Sequence, residues 1–295
     1  MSERVAVVGV GAIGGLVAAE LLAAGAEVTL CSRSSLDRLV VERDEHPRDF
    51  AVRAVTDPAA AAPVRFVIVA LKAQDGAHAA PWLARLAGPD TTIVVIQNGV
   101  EHEARLAPHA VVPAIINTAV ERLAPGRLKH GSGDTLTLAD RPGAREFAAL
   151  LEGGIITTAL EADFTTAAWR KLFANLAGSP LTTITQRRSE VFQVPEAIEL
   201  ARRVLEEALP IGRAEGARLT DDDPQRTVDF LSALPPDVGS SMLYDRLNGR
   251  PLEIDPLVGA VIRAGRRHDL PTPRAETLYA LLTAISPPGR SGPGA

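Results

Sequence analysis

Arg4-Val5-Ala6-Val7-Val8-Gly9-Val10-Gly11-Ala12-Ile13-Gly14-Gly15-Leu16-Val17-Ala18-Ala19-Glu20-Leu21-Leu22-Ala23-Ala24 is the stretch whose reading decides the fold. Arg4 to Val8 is a β-branched run that breaks at once into glycine, and Ala12 to Ala24 is helix-prone. Gly9, Gly11 and Gly14 stand in the spacing G-x-G-x-x-G between that strand and that helix. The first glycine permits a tight turn, the second lets backbone approach a diphosphate, and the third lets helix pack on strand. The helix start adds unpaired N–H groups and a positive dipole end. Gly9, Gly11, Ala12, Ile13 and Gly14 are therefore candidate dinucleotide-binding residues. A glycine-rich turn without a ligand would read the same way, and FAD would suit the same turn. The run from Val5 to Ala24 is apolar enough to imitate a membrane or signal segment. Its four glycines, Glu20 and the lack of a basic leader or clear cleavage site favour strand–turn–helix instead.

Moving outward, Glu27 to Cys31 reads as a second strand after Gly25. Its tip is Cys31-Ser32-Arg33-Ser34, with no acid before Asp37. An NAD site usually places Asp or Glu there to hold the ribose 2′-hydroxyl. Arg33 instead suits a 2′-phosphate, so the expected cofactor is NADP(H); a solvated surface arginine is the alternative. Phe66 to Leu71 and Thr91 to Ile96 are near-continuous apolar runs, as parallel strands buried on both faces should be. Gln74 to Ala87 reads as a helix between them, and the alternation argues for a doubly wound α/β sheet. The two runs end in Lys72 and in Gln97-Asn98-Gly99. Open α/β sheets bind ligands at the carboxyl ends of strands, so Lys72 and Asn98 are candidate cofactor residues. Asn-Gly is also an ordinary turn and Lys72 an ordinary solvated lysine. Short strands at 111–120, 127–131 and 135–138 are expected to close one edge of the sheet, followed by a helix at 145–151 and a strand at 155–159.

From Thr165 onward the pattern is helical, with helices expected at 167–176, 196–215, 225–234, 257–268 and 274–284. The expected organisation is a Rossmann domain over 1–163, an all-α domain over 164–285 and a disordered Pro/Gly/Ser tail over 286–295. A chain of 295 residues is long enough for two cores. The net charge of −5 and the lack of a dense Lys/Arg run argue against nucleic acid. Cys31 is the only cysteine and the six histidines are scattered, so neither a disulfide framework nor a structural metal is expected. With no targeting segment in evidence, the expected location is the cytoplasm.

Lys171, Asn175 and Ser179 recur every fourth residue, which aligns them on one helix face among Leu172, Phe173 and Leu176. Spacing alone fits a plain amphipathic helix with its polar face in water at least as well. Reduction of a ketone by hydride needs a proton donor at the developing alkoxide. A lysine of lowered pKa serves, and Lys171 is the candidate.

Taken together, these stretches resemble the ketopantoate reductase (2-dehydropantoate 2-reductase) family. The resemblance rests on Gly9 to Gly15, Val69-Ala70-Leu71-Lys72-Ala73, Gln97-Asn98-Gly99-Val100, Pro125-Gly126 and His130-Gly131. It continues through Lys171-Leu172-x-x-Asn175, Pro180-Leu181-Thr182, Ser240-Ser241-Met242-x-x-Asp245 and Glu253-Ile254-Asp255. It implies NADPH-linked reduction of ketopantoate to pantoate, on the way to pantothenate and coenzyme A. It also implies a helical domain like that of 6-phosphogluconate dehydrogenases, and a possible homodimer. On that resemblance Lys171 is the general acid and Asn98 and Asn175 hold substrate. Ser241 meets the substrate carboxylate, Glu253 engages hydroxyls and helps place Lys171, and Lys72 lies along the cofactor. The family usually carries a second Asn where this chain has Ser179, which puts a contact to the distal substrate hydroxyl in doubt. The competing expectations are a relative reducing another 2-oxo acid, and a non-catalytic NADP-binding sensor.

Overall fold

The computed structural model describes residues 3–43, 47–131 and 133–286. The expected tail, apart from Ser286, lies outside them. The chain divides into two compact units. The first comprises Met1–Gln97 and Glu101–Phe164, and the second Asn98–Val100 and everything from Thr165. Asn98–Val100, within the stretch expected to belong to the first domain, thus packs with the second unit.

The first unit opens with β1 (Arg4–Val8), α1 (Ala12–Ala23) and β2 (Glu27–Cys31). It continues with β3 (Arg38–Glu42), β4 (Arg48–Ala51), β5 (Ala54–Val55) and β6 (Phe66–Val69). Then come α2 (Ala80–Leu86), β7 (Thr92–Ile96), α3 (His102–Leu106) and β8 (Val112–Asn117). β9 (Val120–Ala124), β10 (Arg127–His130), β11 (Thr135–Ala139), α4 (Ala144–Ala149) and β12 (Thr157–Glu161) complete it. The main sheet runs β12-β11-β8-β7-β6-β1-β2-β5. From β5 to β8 every pairing is parallel, and this is the Rossmann strand order. The switch point lies between β1 and β6. The strands on either side are apolar on both faces, and Val5–Val8 and Phe66–Val69 are buried throughout.

The edge differs from the expectation. β8 and β11 do close the sheet, antiparallel to each other, with β12 outermost. β9 and β10 instead join a second sheet, ordered β4-β3-β10-β9. That sheet was not foreseen because β3 and β4 are short and studded with Arg38, Glu42, Arg48 and Asp49, and only alternate residues of β3, Leu39 and Val41, are buried. Its inner face covers α1: Gly15 lies so close to Leu128 that a Cβ would come within 2.8 Å of Leu128 Cδ1. Glu20, 2% exposed, tethers α1 by accepting from Arg48 and, at 2.9 Å, from the Ile155 N–H. The helix expected over 74–87 is divided into a 3₁₀ segment, Ala73–Ala79, and α2. Pro81 explains the break: it has no N–H to continue a helical ladder and sits where a first turn tolerates it.

The second unit is helical. α5 (Phe164–Thr185) is followed by a 3₁₀ turn, α6 (Pro195–Ala214), α7 (Asp223–Ser232), α8 (Ser241–Leu247), α9 (Ala260–Arg267) and α10 (Pro273–Ile285). Trp169, Leu172, Phe173 and Leu176 of α5 pack with Val204, Leu205 and Ile211 of α6 and with Val258, Val261 and Leu278. Gly212 lets α5 and α6 approach; a Cβ there would lie 2.9 Å from the Trp169 ring. α5 is longer than its apolar pattern suggests because it runs through Pro180. The hydroxyl of Thr182 donates to the Gly178 carbonyl at 2.9 Å and lies 3.2 Å from that of Ser179, which supports the turn that proline disturbs. Arg246 of α8 donates to the Thr183 and Ile184 carbonyls at the end of α5.

Candidate active site

The glycine turn of the first unit is shaped by three different constraints. Gly9 takes φ +99°, and a Cβ there would lie 2.8 Å from Leu71 N; only glycine lets β1 turn this close to the end of β6. A Cβ on Gly14 would overlap the Gly9 carbonyl oxygen and come within 3.0 Å of Ala70 Cβ, so α1 starts against the strand only with glycine there. Gly11 is the opposite case: nothing lies within 4 Å of a Cβ built on it. The turn is closed on the protein side and open where a diphosphate would approach. The Ala12 and Ile13 amides begin α1 at this point and Gly11 is its N-cap without a side-chain cap. The residues present therefore fit a dinucleotide.

The tip of β2 lies beside this turn, since Gly9 N donates to the Cys31 carbonyl at 3.1 Å. Cys31 itself is buried, and burial pushes its thiol up to about 12. Ser32 is tied down through its hydroxyl to the Ser34 carbonyl at 2.5 Å and through its N–H to Val55 at 3.1 Å. Arg33 is exposed and makes no hydrogen bond or ion pair with the described residues. Lys72, half-buried, follows β6 and begins the 3₁₀ segment, its carbonyl accepting from Asp75 N at 2.8 Å.

The end of β7 is braced by Gln97 together with His102, a pairing that the sequence pattern does not reveal. Gln97 Nε2 donates to the Leu71 carbonyl at 2.9 Å, joining the ends of β6 and β7. His102 Nε2 lies 2.9 Å from the Gln97 carbonyl. Burial pushes His102 down to about 4, so the ring is neutral at ordinary pH and its Nε2–H donates to that carbonyl.

The remaining candidates lie in the second unit. Asn98 Nδ2 donates to Glu253 Oε2 at 3.0 Å, although 155 positions separate them in sequence. Glu253 is 8% exposed and precedes the π-type turn Asp255–Gly259. Along α5 the polar stripe passes from half-buried Lys171 and Asn175 to Ser179, 3% exposed. Desolvation lowers the Lys171 pKa from the ordinary lysine value. Asn175 makes no hydrogen bond with the described residues. The next step of the stripe, Thr182, bonds the Ser240 hydroxyl at 2.7 Å, and Ser240 caps α8 by accepting from Leu243 N at 3.1 Å. Ser240 is thereby engaged, whereas Ser241 is the exposed first residue of α8. Asn98 and Glu253 are thus in direct contact. Lys171, Asn175 and Ser179 share a helix, and Ser241 sits on an element anchored to that helix. The capping role of Ser240 was legible as a serine just ahead of an apolar run.

Among the described residues no His/Cys/Asp/Glu cluster could hold a metal ion, and no helix is long and apolar enough to cross a membrane.

Comparison with known proteins identifies the family. The family model for ketopantoate reductase PanE/ApbA matches residues 5–143, and the model for its C-terminal part matches 163–286. A 2-dehydropantoate 2-reductase of Mycobacterium tuberculosis is 40% identical over 311 aligned positions, covering all of both chains. One from Caulobacter vibrioides is 34% identical over 287 positions, covering 96% of this chain and 99% of its own. A solved dimeric ketopantoate reductase of Staphylococcus aureus superposes with a TM-score of 0.86 at 27% identity, covering 96% of this chain and 98% of that one. With both halves of the family pattern and full-length relatives accounted for, the chain belongs to the ketopantoate reductase family.

Proposed function

We propose that this protein reduces ketopantoate to pantoate with NADPH, in the cytoplasm and as a homodimer. The observation that carries the reading is the α5 stripe: a half-buried lysine of lowered pKa beside an asparagine amide with no hydrogen bond among the described residues. A solvated amphipathic face would keep the lysine hydrated, without the desolvation that lowers its pKa. NADPH, when bound, supplies the hydride. Gly9, Gly11, Ala12, Ile13 and Gly14 hold its diphosphate, and Arg33 pairs with the 2′-phosphate. Lys72 and Asn98 stand at the ends of β6 and β7, along the nicotinamide half.

Lys171 is the general acid. Its ammonium gives a proton to the carbonyl oxygen as that oxygen gains charge, leaving a neutral amine to be reprotonated from solvent. Desolvation makes the ammonium a stronger acid, which favours this transfer. Asn98 and Asn175 donate to substrate oxygens, and Ser241 donates to the substrate carboxylate. Glu253 accepts from one N–H of the Asn98 amide, which fixes how Asn98 presents the other to substrate, and by the family resemblance Glu253 also helps orient Lys171. Ser179 offers one donor where an asparagine would offer two, so the 4-hydroxyl of ketopantoate is held less tightly from that position.

The test is kcat/KM with NADPH and with NADH, for ketopantoate and for the 2-oxo acid of the same skeleton lacking the 4-hydroxyl. The reading requires NADPH and ketopantoate to be the preferred pair. A preference for the deoxy acid, which Ser179 would accommodate, would reassign the substrate; a preference for NADH would reassign Arg33.

A further inference from the structure

β8 is the last strand of the parallel run, so its carboxyl end, Asn117, lies on the same sheet edge as Gly9, Leu71 and Gln97. A dinucleotide crosses such an edge with its adenine half over β1 and β2 and its other half over β6, β7 and β8. The segment Asn117-Thr118-Ala119 leaves β8 at that point and is held by His130, Gly131 and Asp134. Thr118 Oγ1 donates to Asp134 Oδ1 at 2.9 Å. His130 Nε2 lies 2.6 Å from the same oxygen and donates to it. Arg43 stands 3.8 Å from Asp134 Oδ2. Gly131 N donates to the Ala119 carbonyl at 2.6 Å, and a Cβ on Gly131 would lie 3.1 Å from Ala119 Cβ. Backbone and side chain thus grip the segment together.

The His130 side chain is fully buried, and its Nδ1 is a buried atom without a hydrogen-bond partner. Leaving such an atom unpaired is unfavourable, and an apolar side chain of similar volume would avoid it. What the imidazole supplies in return is Nε2 on Asp134, and Asp134 orients Thr118. We infer that His130 and Asp134 are positioning residues that fix Thr118 and its neighbours as a wall of the nicotinamide half of the cofactor crevice. The inference rests on the NADPH reading above.

The experiment measures, for wild type, Thr118→Val, His130→Leu and His130→Gln, the kcat for NADPH oxidation and the affinity for adenosine 2′,5′-bisphosphate, which occupies only the adenine half. Thr118→Val keeps the side-chain shape and serves if His130→Leu fails to fold. Misplacing a wall of the reacting half lowers kcat about tenfold or more in Thr118→Val and His130→Leu, with bisphosphate affinity unchanged. His130→Gln, whose amide N–H reaches toward the position of Nε2, recovers most of the rate. A competent wild type matched by Thr118→Val, equal loss of rate and bisphosphate affinity, or a Gln variant no better than Leu overturns the inference alone. A wild type that neither binds the bisphosphate nor oxidises NADPH overturns the underlying reading with it.

Discussion

Gly11→Ala and Gly14→Ala differ by one methyl at positions three residues apart, and the structure assigns them opposite consequences. Nothing lies within 4 Å of a Cβ on Gly11, and its φ of −85° and ψ of −155° are open to alanine. Restricting the unfolded chain stabilises by about 0.4–1 kcal/mol. Alanine is a poorer N-cap than glycine by about 0.5–1 kcal/mol, so the two terms roughly cancel. The new methyl, however, projects on the open side of the turn, where a diphosphate must come close to the amides of Ala12 and Ile13. Losing one charge-assisted hydrogen bond costs about 1.5–3 kcal/mol, or roughly ten- to a hundredfold in affinity. On Gly14 the methyl meets the Gly9 carbonyl, a backbone atom that cannot rotate away. Overpacking of that kind costs about 1–3 kcal/mol or more, which lowers Tm by about 2–12 °C at about 2–4 °C per kcal/mol for a domain of this size. Thermal unfolding of the unliganded proteins and fluorescence titration with NADPH read both effects. A Gly11→Ala protein that binds NADPH like wild type, or a Gly14→Ala protein of unchanged Tm, refutes the account of the turn.

Three further outcomes are expected. Lys171→Ala lowers kcat about 10²–10⁴-fold with directly measured NADPH affinity retained, and in wild type kcat falls as pH rises through a Lys171 pKa below the usual lysine range; a folded variant of near-normal kcat, or a rate that rises over that limb, contradicts the assignment. Lys171→Met raises Tm at neutral pH, because a folded-state pKa depressed by desolvation means the ammonium destabilises the fold below that pKa; the gain shrinks as pH climbs toward the unfolded lysine value, and a gain that grows with pH would contradict the sign. Arg33→Ala weakens NADPH roughly ten- to a hundredfold and leaves NADH nearly unchanged, and equal losses for both cofactors would remove Arg33 from the 2′-phosphate.

The first unit was legible where a single segment carries its own signal. Gly9, Gly11 and Gly14 announce the turn by their spacing, although the contacts that demand glycine at Gly9 and Gly14 include Leu71 and Ala70 at the end of β6, and the apolar runs leading into Lys72 and Asn98 announce buried parallel strands. The second sheet was hidden because β3 buries only alternate residues beneath charged ones and β4 buries none fully. The brace on β7 was hidden for another reason. Gln97 acts through the Leu71 carbonyl and His102 through the Gln97 carbonyl, and backbone partners leave no trace in residue type. The Asn98–Glu253 contact spans most of the chain, so no spacing rule reaches it, and Glu253 and Ser241 were singled out only through the family resemblance. The stripe Lys171, Asn175, Ser179 was visible as periodicity, but that Lys171 is half-buried and desolvated while Ser179 is buried depends on packing that periodicity does not encode.

The central claim is tested most directly by incubating the purified protein with ketopantoate and a limiting amount of NADPH, then quantifying pantoate. The account predicts one pantoate formed per NADPH oxidised, and essentially none with Lys171→Ala over the same interval. NADPH oxidation without pantoate, or pantoate formed at the wild-type rate by Lys171→Ala, would contradict it.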